Sequence, residues 1–183
     1  MTEQDPTATP ADVDTTETDE TPEIAAAMAA DALVPLDVEV APQPKSAPDD
    51  REQRGPFDVA EVTGVRPYID LGGVKVLPRA DLHLRLEVEE ATKRVVAVGL
   101  EYHGTTLQVQ PFAAPRSSGL WHDIREQIME QLRKQGAKAK PANGPFGPEI
   151  FAEIPVNQDG QQGWRLARFI GVDGPRWFLR GVI

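Results

Sequence analysis

The chain has 183 residues, 29 of them acidic and 19 basic, a net charge of −10, and no cysteine. Disulfides and thiolate metal sites are excluded, and a reducing cytoplasm fits that composition. The charge is segregated: residues 1–44 hold eleven Asp and Glu and no Lys or Arg, residues 45–54 balance, and residues 55–183 sum to +1.

The first residues, Met1-Thr2-Glu3-Gln4-Asp5, have neither the basic nor the apolar region of a secretory signal. The longest apolar run, Ile24 to Ala30, is far short of the ~20 residues that span a bilayer. Residues 1–54 read as a disordered acidic arm and linker, because a Pro/Thr/Asp/Glu-rich stretch without aromatics cannot offset the entropy of ordering. Within it, Ile24 to Val34 has helical propensity, started by Pro22 and Glu23 and ended by Pro35. Pro42, Pro44 and Pro48 mark residues 41–50 as linker.

A single domain is expected over 55–183. It opens at Gly55-Pro56-Phe57, and Tyr68 to Leu77 reads as a strand pair or bent strand broken at Gly72-Gly73. Leu82, Leu84, Leu86 and Val88 then alternate with polar residues, as do Val96, Val98, Leu100 and Tyr102, which is strand periodicity. Opposing Val88 with Val96 aligns Leu84 with Leu100 and Leu82 with Tyr102. Opposing Leu100 with Leu107 aligns Tyr102 with Thr105 and leaves a two-residue turn, His103-Gly104. Both registers keep the aliphatics on one face.

Residues 119–135 change to helical period, with Leu120, Ile124, Ile128 and Leu132 forming a stripe that Trp121 widens. Ser117 or Ser118 is the expected cap and Gly136 the expected stop. The stripe is expected to cover the apolar face of the meander. Asn143-Gly144-Pro145-Phe146-Gly147-Pro148 reads as a rigid turn between helix and strand, since its prolines remove the N–H groups a phosphate cradle needs. Strands follow at Ile150 to Val156, Trp164 to Ile170 and Arg176 to Ile183. The order β-β-β-α-β-β-β gives an α+β fold, a mostly antiparallel sheet packed on one amphipathic helix. The last strand is either a sheet edge or the end of a chain that stops short of a natural domain boundary.

Two long motifs, Phe112-Ala113-Ala114-Pro115-Arg116-Ser117-Ser118-Gly119-Leu120-Trp121 and Gly171-Val172-Asp173-Gly174-Pro175-Arg176-Trp177-Phe178-Leu179-Arg180-Gly181, stand beside Gly55-Pro56-Phe57-Asp58, Asp70-Leu71-Gly72 and Gly144-Pro145-Phe146-Gly147. Together they resemble an uncharacterised actinobacterial family of unknown function, across the domain and not the arm. The resemblance implies a small bacterial cytoplasmic protein, usually extending past the last strand seen here, and carries no activity, cofactor or catalytic residue. The strand-to-helix passage more loosely resembles Mog1/PsbP-like α+β proteins, a likeness of fold alone.

No catalytic constellation emerges. His83, His103 and His122 lie on a strand, a turn and a helix without ligand spacing, so no metal is expected. No serine sits in a nucleophile elbow, no phosphate loop is present, and no cofactor is implied. The segment of most interest is the final hairpin, where Arg165, Arg168, Arg176 and Arg180 accompany Trp164, Trp177 and Asp173. Arginine forks bind carboxylates and phosphates and stack on indoles. Pairing of these arginines with Glu149, Glu153 or Asp173, with packed tryptophans, is the structural alternative. Arg133, Lys134, Lys138 and Lys140 form a second small basic group.

The reading is a non-enzymatic cytoplasmic module for a protein partner, with the Arg/Trp hairpin as its surface and the acidic arm as modulator or solubility tail. The alternative is a small-anion or nucleotide site using Arg168, Arg176 and Arg180, which requires them to converge in a pocket. Nucleic-acid binding is a third class, disfavoured by a domain surplus of only +1.

Overall fold

The structure, a computed structural model, describes residues 42–158 and 161–183. The expected helix at Ile24–Val34 and nearly all of the acidic arm fall outside the described residues. A seven-stranded sheet is built from β3 (Leu82–Val88), β4 (Val95–Tyr102), β5 (Thr105–Ala113), β6 (Lys138–Gly144), β7 (Gly147–Gln158), β8 (Gln161–Asp173) and β9 (Trp177–Val182). Its spatial order is β3-β4-β5-β9-β8-β7-β6, antiparallel throughout. A separate two-stranded ribbon, β1 (Ile69–Asp70) and β2 (Lys75–Val76), precedes it. Among the described residues the helices are α1 (Arg51–Arg54) and the main helix α2 (Trp121–Lys134), with a 3-10 turn at Val59–Glu61.

The alternation of the meander sets its register. Leu82 pairs with Tyr102, Leu84 with Leu100, and Tyr102 with Thr105. His103 and Gly104 turn the chain with φ of 48° and 75°, the paired positive values of a tight hairpin. One pair departs from expectation: a bulge at Glu87/Val88 places Val88 opposite Val95, not Val96.

The α2 stripe is formed with one change: Trp121, Ile124, Ile128 and Leu132 are buried and Met129 joins them, while Leu120 is the half-buried N-cap before the first turn. Each such burial contributes about 1.5–3 kcal/mol, so packing rather than propensity holds this helix. Its partner is not the expected one. α2 lies on β6, β7 and β8, against Ile150, Ala152, Ala167 and Phe169, while Trp121 stacks on Phe178 at 6.1 Å. Gly171 faces Trp121, whereas its neighbour Ile170 lies with Leu107 over Gly181 on the reverse face. The meander aliphatics therefore face away from α2. Their polar alternates share the helix side, where Gln108 donates to Glu87 and Arg180 to Gln110.

Two further expectations are corrected. Four strands, not three, follow α2 in the main sheet: Lys138 to Gly144 pairs with β7, and Gly144 to Gly147 is a hairpin turn between two strands. Proline and lysine give β6 little strand propensity, but both are common on an edge, where they discourage further pairing. The final strand is no edge. α2 carries the chain to the far side of the sheet, and the β6-β7-β8 meander returns until β9 closes between β5 and β8.

The reverse face is crossed by residues 55–81. Asp58 accepts from Trp177 Nε1 at one end, Gly73 abuts Pro111, and Arg79 lies over the Tyr102 ring, 5.0 Å from its centroid, at the other. Among the described residues no helix is long and apolar enough to cross a membrane.

Candidate functional site

The arginines of the final hairpin do not converge. Arg180 is cross-strand from Gly171 and so on the α2 side; it is 3% exposed, lies over the Phe112 ring, and donates to Gln110. Burial pushes its guanidinium down to about 10, still charged at neutral pH. Arg168 points to the reverse face, where both Glu149 oxygens accept from its Nη2 at 2.9 and 2.7 Å. Arg165 is exposed opposite Ile154, and Arg176 is exposed in the turn. The second basic group is also dispersed: Lys134 pairs with Glu130, Lys138 caps the Trp164 ring, and Lys140 covers Phe151. Among the described residues no three potential metal ligands come together.

Asp173, expected at a binding surface, is 2% exposed and holds the α2 entrance. Its Oδ1 accepts from Leu120 N at 2.8 Å, and its Oδ2 from Ser46 N at 3.0 Å and Trp121 N at 3.3 Å. The cap expected from Ser117 or Ser118 thus comes from a carboxylate some fifty residues later, since the helix's own N-cap, Leu120, has no polar side chain. Residues 43–46, read as linker, are tied into this junction. Asp173 N donates to Ser46 O, Gly119 N to Gln43 O, and Lys45 Nζ to Pro115 O and Gly174 O. A side chain at Gly119 would collide with this strap, 2.9 Å from Lys45 Cα.

The next residues of the same motif form the side of a cleft. The Trp177 ring covers Gly174, where a Cβ would fall inside the indole, and its Nε1 donates to Asp58 Oδ2 at 3.0 Å. Between the crossing segment and the sheet lies a cleft of about 820 Å³. Its apolar lining includes Phe57, Val62, Val65, Tyr68, Trp177 and Leu179, and its charged lining is Arg54, Arg66, Lys75, Asp58 and Asp70. The volume is in the range of ligand-binding sites. Gly55-Pro56-Phe57-Asp58, Asp70 with Gly72, and Trp177 with Leu179 come from three separate motifs and meet here.

One wall is pinned by charge. Arg51 grips Glu61 through Nη1 and Nη2 at 2.7 and 2.6 Å, while Glu61 also accepts from Asp58 N at 2.7 Å. Asp58 in turn accepts from Ala60 N, completing a capping box around Val59–Glu61. The Arg51 hydrogen bonds, then the Asp58 amide, draw the Glu61 carboxyl from 4.5 to about 2. A lowered carboxylate stabilises the fold above its unfolded pKa and loses that contribution as pH falls toward the folded value. The wall is therefore expected to hold at pH 5 and to loosen between about pH 4.5 and 2. A carboxyl carbon NMR titration should give Glu61 a midpoint near 2, and Arg51→Ala should return it toward the ordinary carboxylate range.

The hairpin signal in the sequence located Trp177 but not its partners. Asp58 was marked only by the motif Gly55-Pro56-Phe57-Asp58 that the family resemblance rests on, and Tyr68 only as the start of an expected strand pair.

No curated protein and no solved structure matches the chain. The model of a protein family of unknown function, DUF3710, matches residues 55–183. This span holds the sheet, α2 and the whole cleft except Arg54, and the chain belongs to the DUF3710 family.

Proposed function

We propose that this domain is a non-enzymatic binding module, acting in the cytoplasm, whose working surface is the Trp177 cleft and the crossing segment around it. The observation that carries this reading is that five of the ten exposed large apolar side chains among the described residues, Phe57, Val59, Val65, Ile69 and Leu77, lie in that one segment, and the first three line the cleft. Scattered exposed aliphatics are ordinary, whereas a cluster around a concave site marks recognition. Trp177 lines this cleft. Arg168 and Arg180 do not, because each is committed to a partner on a different face of the sheet. That separation removes the geometric basis for an anion site shared by Arg168, Arg176 and Arg180.

The test is site-specific photo-crosslinking in the full chain, in cells. A crosslinking residue at Val65, which is fully exposed, is expected to trap a discrete adduct. The same residue at Glu126, exposed on α2, is the control. Equal trapping at both positions, or none at Val65, counts against the reading.

A further inference from the structure

Charge around the cleft narrows the class of partner, on the basis of the binding reading above. Both carboxylates of the lining are already engaged. Asp58 accepts from Ala60 N and Trp177 Nε1, and Asp70 accepts from Gly72 N and pairs with Lys75 at 2.8 Å. Lys75 is thereby consumed as well. Two lining cations remain. Among the described residues Arg54 reaches only Asp50, at 3.4 Å and with most of its side chain exposed. The Arg66 side chain is exposed and makes no hydrogen bond or ion pair among the described residues. Three cations and two carboxylates line the cleft, so the charge left for a ligand to meet is positive and sits beside an aromatic and aliphatic floor.

We propose that the cleft receives an extended peptide segment carrying a carboxylate next to an apolar or aromatic anchor. Arg66 takes the carboxylate and the floor of Trp177, Tyr68 and Leu179 takes the anchor. A planar guanidinium with all its donors available suits bidentate capture of a carboxylate. A peptide fits better than a free small anion because Ile69 and Leu77, exposed apolar residues outside the lining, lie within two residues of the lining pair Asp70 and Lys75 of the ribbon, beyond what a small ligand would cover. A surplus of one cation is too small for a nucleic-acid footprint.

The proposal is tested by selecting a random 12-residue peptide library on the full chain, with affinities then measured for the enriched peptides. Enrichment of Asp or Glu beside Leu, Phe or Trp is expected. Arg66→Glu should weaken those peptides about tenfold, the scale of a hydrogen bond to a charged group. Val65→Ser should also weaken them, and Arg133→Glu on α2 should leave them unchanged. Arg66 and Val65 are both exposed, so neither substitution threatens folding. Enriched peptides without acids, sensitive to Val65→Ser but not to Arg66→Glu, would overturn the carboxylate assignment and leave the cleft reading intact. Failure to enrich any peptide sensitive to Val65→Ser would overturn both.

Discussion

Asp173→Ala is expected to destabilise the protein by about 3 kcal/mol, among the larger effects of a single substitution. The carboxylate accepts from Ser46 N, Leu120 N and Trp121 N in a site that is 2% exposed. Removing it strands those donors away from water, and each unsatisfied buried group costs about 1–3 kcal/mol. It also removes the carboxylate that caps the positive end of α2, worth about 0.5–2 kcal/mol, and leaves Asp123 as the acidic residue of the first turn. Asp173→Asn is expected to be nearly as damaging. One oxygen can still accept, but the amide nitrogen then faces donors instead of receiving them. Ser117→Ala, at the exposed serine that local sequence nominates as a cap, should cost less than about 0.5 kcal/mol. Urea denaturation of the full chain measures all three. Similar losses for Asp173→Ala and Ser117→Ala would show that α2 is capped locally after all.

The same junction explains why parts of the fold were legible and others were not. Period-two alternation from Leu82 to Val109 determines which residues share a face, and a two-residue turn then leaves one register; the observed pairs follow from that except at the Glu87/Val88 bulge, which alternation does not encode. The α2 stripe was legible for the same reason, since every buried position recurs at helical spacing. Alternation does not say which face meets the helix. That choice depends on where β9 inserts, and β9 joins β5 through pairs nearly seventy residues apart in sequence. β6 was hidden because it is held by pairing with β7 rather than by its own propensity. The Asp173 cap and the Asp58–Trp177 bond join residues 53 and 119 positions apart, and no local pattern encodes such partners. The cleft inherits that limit, being assembled from three motifs that only the folded sheet brings together.

Gly171→Ala is expected to cost more than about 3 kcal/mol or to prevent folding, although it adds one methyl group. A Cβ at this position would sit 2.7 Å from Trp121 Cγ and closer still to other ring carbons. The indole cannot retreat. It is fully buried, its Nε1 donates to Pro148 O at 2.6 Å, and its ring stacks on Phe178. Interiors packed at crystal density absorb an extra methyl only by shifting backbone or forcing strained rotamers. Gly163 lies on the same strand and provides the control, because a Cβ there meets only Val156 Cγ2 at 3.6 Å. Gly163→Ala should therefore be neutral or slightly stabilising, as the unfolded chain loses freedom. Thermal and urea unfolding of the two variants should differ by at least 3 kcal/mol. The clash itself is isolated by a double-mutant cycle with Trp121→Leu, which removes the ring that the new methyl would strike. If Gly171→Ala costs clearly less in that background, the penalty arises from the Trp121 contact. If the two losses simply add, the glycine is required for some other reason and the close approach of β8 to α2 does not set the position of the helix.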